Sequence, residues 1–183
     1  MRLYRQTVED FGLYSGRELS EEELKKLKDS AGEMSAKMRA VRIVSASSVS
    51  KRDLEYRLVQ KGENPSQAKQ AVEWMSELNL LDDAKTAEQI VHKCINKGYG
   101  LSRAKQALYE KRIPKEFWED ALADFPDQTD RILDFLRSRL DDSSEERDVR
   151  RAVDALLRRG HSYHEIRKAM EELRFDSDIQ EDY

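Results

Sequence analysis

Apolar residues along this chain recur at spacings of three and four, the period of a helix with one buried face. Ala87, Ile90, Val91 and Cys94 follow the i, i+3, i+4, i+7 rule, and Ile132, Phe135, Leu136 and Leu140 form a second such stripe. Shorter stripes are carried by Leu54 and Leu58, by Ala104 and Leu108, by Trp118 and Leu122, and by Ile166, Met170 and Leu173. The pattern predicts an all-α fold of helices joined by short turns. The first twenty residues stand apart, with three aromatics, two glycines and no sustained period, and predict a short extended piece or turn.

Polar signals place the helix ends. Ser20 and Glu23 have capping-box spacing, so a helix is expected over 21–30, relieved near Gly32 and resumed over 33–46. Ser50, with Asp53 at the same spacing, starts a helix that Gly62 ends; Asn64, Pro65 and Gln67 then supply a cap, an N1 proline and a reciprocal side chain. Asp82 or Asp83 caps the next helix, and Gly98 and Gly100 permit a left-handed residue and a tight reversal. Ser102 is expected to cap the helix after that, and Pro114 to open a third. Ser143 or Ser144 precedes a helix ending at Gly160, and Ser162 with Glu165 forms a further capping box.

These elements repeat. RDLEYRLVQKGENPSQAKQAV (52–72), SRAKQALYEKRIPKEFWEDAL (102–122) and RRAVDALLRRGHSYHEIRKAM (150–170) align so that Leu58, Leu108 and Leu156 coincide, 50 and 48 residues apart. Four residues later stands Gly62, Arg112 or Gly160, preceded by Lys61, Lys111 or Arg159. A period near fifty means supersecondary units stacked side by side, and it does not fit the periods of about 33 to 34 of tetratricopeptide and ankyrin arrays. The expected division is a lead-in with one helix (1–32), three-helix repeats at 33–80, 81–126 and 127–175, and an acidic tail (176–183).

Composition sharpens this picture. With 38% hydrophobic and 38% charged residues there is little material for a thick central core, which fits an elongated helical body. Cys94 is the only cysteine, so no intramolecular disulfide forms and a reducing, cytoplasmic home is expected. No apolar run reaches the roughly 18 residues of a membrane span. No phosphate-binding glycine loop, paired zinc ligands or nucleophile elbow is visible, so no enzyme and no cofactor are expected. His161 and His164 read as capping and surface residues without a third metal ligand, and Trp74 and Trp118 read as core.

The net charge of −4 argues against a strong, self-sufficient DNA binder, yet the charge is unevenly spread. Between 97 and 115, Lys97, Arg103, Lys105, Lys111, Arg112 and Lys115 face Glu110 alone, whereas DSDIQEDY at the end holds four acids and no base. That tail reads as a solvated end or a phosphate mimic. The candidate contact residues are Arg103, Lys105, Lys111 and Arg112 in the second unit and Arg158, Arg159, Arg167 and Lys168 in the third. They recur around the junction of second and third helices, as a broken basic stripe suited to a phosphate backbone or an acidic protein groove.

Three strings, RDLEYRLVQKG, LNLLDDAKTAEQIVHKCINKGYGLSRAKQALYEKRIP and LLRRGHSYHEIRKAM, occur in the order seen in the RecX family of bacterial recombination regulators, which this sequence resembles over about 33–173. VEDFGLYSGRELSEEEL resembles the lead-in of longer members, which carry more chain upstream. The resemblance implies three tandem three-helix repeats in a curved, elongated body. It also implies binding to the RecA recombinase, lodging in the groove of its filament on single-stranded DNA, and suppression of filament growth, ATP hydrolysis and strand exchange. A monomer that reaches DNA through the filament is expected, with effects on recombination, DNA repair and the SOS response. Many members are basic, and the pI of about 5.6 here departs from them. The rival readings are a helix-turn-helix-like DNA-binding module and a general helical-repeat scaffold.

Overall fold

Ser20 shows how local chemistry sets the first long element. Its hydroxyl accepts from the Glu23 amide at 3.2 Å while the Glu23 carboxylate takes the Ser20 amide at 2.9 Å, and the helix that follows, α2 (Glu21–Ala46), runs unbroken. The computed structural model describes residues 3–141 and 143–181, the stretch 174–181 as backbone alone. The expected relief at Gly32 is absent. A Cβ at Gly32 would overlap the Gln67 carboxamide, which donates to the Asp29 carbonyl at 3.2 Å, so this glycine admits a neighbouring side chain and does not end the helix. Gln67 is thereby diverted from the reciprocal capping role; Asn64 alone caps α4 (Pro65–Glu77), accepting from the Ser66 amide at 2.9 Å.

The opening segment also departs from expectation, since it contains a helix, α1 (Arg5–Asp10). Two i, i+4 contacts support it, Arg5 to Glu9 at 2.8 Å and Gln6 to Asp10 at 2.9 Å, while Thr7 is buried. Arg17 fastens it to α2: its guanidinium donates to the Phe11 and Gly12 carbonyls at the end of α1 and pairs with Glu23 at 3.1 Å. A cation at the negative end of a helix is favourable.

Beyond α2 come α3 (Lys51–Gln60), α4, α5 (Asp83–Asn96), α6 (Leu101–Glu110), a 3-10 turn at Lys115–Phe117, α7 (Trp118–Leu122), α8 (Thr129–Arg137), α9 (Glu146–Arg158) and α10 (Tyr163–Glu181). Among the described residues there is no strand, and the protein is all-helical. Ser143 and Ser144 do not cap α9 as expected. Their hydroxyls donate to Asp141 at 2.8 and 3.0 Å, closing a loop that holds the Asp141 carboxyl below the usual range, and α9 starts after Glu145. Ser162 and Glu165 form the expected box at α10, with contacts of 3.2 and 2.6 Å. The side chains of the acidic tail at 176–183, and Asp182 and Tyr183 altogether, lie outside the described residues.

The chain forms two compact units, Met1–Thr86 with Lys111–Ile113, and Ala87–Glu110 with Pro114–Tyr183. In the first, Leu54 and Leu58 of α3 meet Ala68, Val72 and Met75 of α4, with Ala36 and Ala40 of α2 closing the layer. Alanines on α2 let its backbone approach α4 closely. In the second, Ile132 and Leu136 of α8, Leu156 of α9 and Ile166 of α10 form the core. The aligned leucines 58, 108 and 156 are all buried, and truncating any to alanine costs about 2–5 kcal/mol.

Candidate interaction surface

The turn after each aligned helix is the structural centre of the repeated pattern. Gly62, Arg112 and Gly160 occupy the same aligned position, and all three have left-handed backbones, with φ of 89°, 54° and 88°. Two are glycine, as this conformation favours. Arg112 adopts it against the preference of L residues, and its side chain shows why it is held. The guanidinium lies 3.7 Å from the Tyr56 ring centroid and 3.5 Å from the buried Asp53 carboxylate, which Arg57 also meets at 2.9 Å.

In the first unit this turn meets the start of α3. The buried Ser50 hydroxyl accepts from the Asp53 amide at 3.0 Å and donates to the Lys111 carbonyl at 2.8 Å. The Asp53 carboxylate therefore does not reach back to complete a capping box; it binds the two arginines. Asp82 and Asp83 are caps, but of different helices. Asp82 accepts from the Lys85 amide of its own helix at 3.0 Å, and Asp83 accepts from the Lys51 amide at the start of α3 at 2.8 Å. Burial raises the Asp83 carboxyl above the usual carboxylate range, against the Lys51 amide and the charges of Lys51 and Arg52.

In the second unit the corresponding turn meets the start of α6 through backbone. The Gly100 amide donates to the Arg159 carbonyl at 3.0 Å and the Ser102 amide to the Gly160 carbonyl at 3.2 Å. Ser102 is thus a helix residue serving this junction, not the expected cap. Gly100 and Gly160 are packed so closely that a Cβ on Gly100 would overlap the Gly160 carbonyl and one on Gly160 would overlap the Arg103 amide. His161 completes the contact. It is buried, its Nε2–H donates to the Gly98 carbonyl at 3.1 Å, and its Nδ1 is buried without a hydrogen-bond partner. Burial depresses its pKa, the Gly98 carbonyl and Glu165 opposing and Arg159 reinforcing that shift. The expected surface role for His161 is therefore replaced by a buried one; His164 is exposed.

The basic residues expected to form a stripe divide by what they already hold. Arg103 pairs with Glu110 at 3.0 Å, Arg167 with Glu171 at 3.0 Å, and Arg112 with Asp53. Arg159 is exposed with its guanidinium 4.7 Å from the Phe135 ring centroid. Lys105, Arg158 and Lys168 are exposed and Lys111 is half-buried; these four form no ion pair among the described residues. Two further arginines belong to the same region of the second unit and were not anticipated. Arg139 lies 5.3 Å from the Phe135 centroid, so that ring carries two guanidinium groups. Arg131 donates to the Ile95 carbonyl at 2.6 Å, at the negative end of α5. The Phe135–Arg139 contact has a readable i, i+4 spacing; Arg131 and His161 act over distances no local pattern encodes.

No group of three His, Cys, Asp or Glu side chains among the described residues is placed to hold a metal ion, and none of the described helices is long and apolar enough to cross a membrane. Cys94 is buried, which pushes its thiol up and away from the reactive thiolate.

Residues 82–122 match a family model described as "RecX, second three-helix domain". A "Regulatory protein RecX" of Xanthomonas campestris pv. campestris (strain B100) is 32% identical over 130 residues, covering 69% of this chain and 78% of the relative. One of Clostridioides difficile (strain 630) is 28% identical over 129 residues, 70% of this chain but only 60% of that protein's length. The crystal structure of RecX from Lactobacillus salivarius superposes with a TM-score of 0.68 at 20% identity, over 80% of this chain and 99% of that one, a likeness of fold.

Proposed function

The chain belongs to the RecX family of regulatory proteins, and on that premise we propose that it binds the RecA recombinase filament on single-stranded DNA and inhibits its extension, ATP hydrolysis and strand exchange. It does so without catalysis, as a monomer in the cytoplasm, and so modulates recombination, DNA repair and the SOS response. The proposal keeps the three-repeat division at 33–80, 81–126 and 127–175. The observation that carries it is the 32% identity to a regulatory protein over most of both chains. The contact is assigned to the exposed bases at the repeated turns, chiefly Lys105, Arg158, Arg159 and Lys168. Arg103, Arg112 and Arg167 hold carboxylates of their own chain and contribute less.

Adding the purified protein to preformed recombinase filaments and following single-strand-dependent ATP hydrolysis tests the reading. Hydrolysis is expected to fall, and the fall to be weakened by charge reversal at Arg158 and Arg159 but not at Lys25 and Lys26. No change at large molar excess rejects the function; equal inhibition by both variants rejects the surface. The helix-turn-helix reading wins instead if gel shifts show sequence-preferring duplex binding without recombinase, with affinity falling steeply in salt.

A further inference from the structure

The first unit shows how a pair of aligned helices is covered in this fold. Leu81 is buried and joins the core containing Ala71, Val72 and Met75. Two residues later Asp83 sets its carboxylate on the Lys51 amide, with the Arg52 charge nearby. A leucine and a carboxylate at a helix start thus close this face of α3 and α4.

The alignment of the repeated segments places Val149, Arg150 and Val153 of α9 at the positions of Lys51, Arg52 and Glu55, and Met170 of α10 at that of Val72. Among the described residues that face is open. A cleft of about 470 Å³ runs between α9 and α10, its apolar lining Val149, Val153, Ile166, Met170 and the 65% exposed Tyr163, and its charged lining two arginines, 150 and 167, with two glutamates, 146 and 171. Two features suit the kind of segment that Leu81 and Asp83 exemplify. Val149 and Val153 replace a lysine and a glutamate, so the lining is more apolar than its counterpart. Arg150 is 74% exposed and, among the described residues, ion-paired with Glu146 on its own helix at 3.1 Å, an exposed i, i+4 pair weak enough for a better-placed carboxylate to displace.

We propose that the α9–α10 cleft is a docking site for the start of an amphipathic helix from a partner protein, which seats a leucine-class side chain on the valines and sets a carboxylate two residues later against Arg150. Such helix-in-groove recognition is driven by the apolar anchor, and the charge pair fixes the direction of the helix. The cleft shares Arg167 with the basic residues considered for the filament, but its test contains neither recombinase nor DNA, so each reading fails separately.

The probe is a fluorescein-labelled peptide of residues 79–96 of this sequence carrying Cys94→Ser, which presents Leu81 and Asp83, titrated with the full chain and followed by anisotropy. Binding is expected to be saturable, weakened about tenfold by Val153→Asp or Tyr163→Asp, equivalent to about 1.4 kcal/mol. Arg150→Glu is expected to weaken it about threefold, and a peptide with Leu81→Ser and Asp83→Asn to lose it. Tyr163 is exposed at a helix start, where an acid is tolerated, so its variant keeps the test valid if Val153→Asp fails to fold. Absence of saturable binding overturns the proposal. So does binding unchanged in the Val153 and Tyr163 variants, the outcome if the peptide merely displaced the chain's own helix start.

Discussion

The two turns at Arg112 and Gly160 occupy the same aligned position and do the same job, yet they are built from different chemistry. In the first unit the contact is made by side chains: the Ser50 hydroxyl on the Lys111 carbonyl, and Arg112 on Asp53 and Tyr56. In the second it is made by backbone, with the Gly100 and Ser102 amides on the Arg159 and Gly160 carbonyls and one buried imidazole. A side-chain clasp tolerates a left-handed arginine because the guanidinium is needed. A backbone clasp demands glycine on both surfaces because nothing larger fits. One repeated position therefore has two different vulnerabilities, charge screening in one unit and volume and pH in the other.

The largest effect is expected from volume. Gly160→Ala places a methyl group into the Arg103 amide on a left-handed backbone and should cost about 3 kcal/mol or more, read as a fall in the midpoint of thermal unfolding by circular dichroism. Gly62→Ala meets the same backbone penalty with nothing within 4 Å of the new Cβ, and should cost only about 1 kcal/mol. Equal losses would mean that the close packing around Gly160 adds nothing to the backbone penalty, and that the backbone clasp does not depend on volume.

Next comes charge. Arg112→Gly relieves the backbone but leaves Asp53 with Arg57 alone, for a net loss of about 1–2 kcal/mol. Because Arg112 is partly exposed, that loss should shrink between low and high salt in denaturant titrations, whereas the Gly160→Ala loss should not. A salt-independent Arg112 loss would mean that stacking on Tyr56, not the ion pair, holds the turn.

The smallest effect is in pH. His161 is buried neutral with a pKa below its unfolded value of about 6.5, so its contribution to stability is complete above that value and is lost as pH falls through the folded pKa. Unfolding midpoints should therefore decline on acidification below about pH 6.5, by less than the effects above. His161→Gln, which keeps a donor for the Gly98 carbonyl, should flatten that decline. An unaltered decline would move the titrating group elsewhere.

Much of the fold was readable in sequence. Ser20 with Glu23 and Ser162 with Glu165 act within a single turn of chain, so their spacing was sufficient evidence. The buried leucines at 58, 108 and 156 were readable because a helix buries one face periodically. Elsewhere the local signal was real and its partner was remote. Gly32 looked like a break until Gln67 was found against it, and Ser143 and Ser144 resembled caps but serve Asp141. For the candidate surface, the basic residues were found by composition and recurrence, but which of them are already paired was not legible. Arg103 and Glu110 are seven residues apart, and Arg112 and Asp53 fifty-nine.

The sequence by itself determined the all-helical class, the aligned turns and most helix starts, because these depend on contacts within a few residues and on a period that one helix imposes on itself. Tertiary structure decided how each turn is held, which arginines stay exposed, that His161 is buried and that the α9–α10 face is open. Those outcomes depend on which groups, far apart along the chain, compete for the same carbonyl, carboxylate or volume.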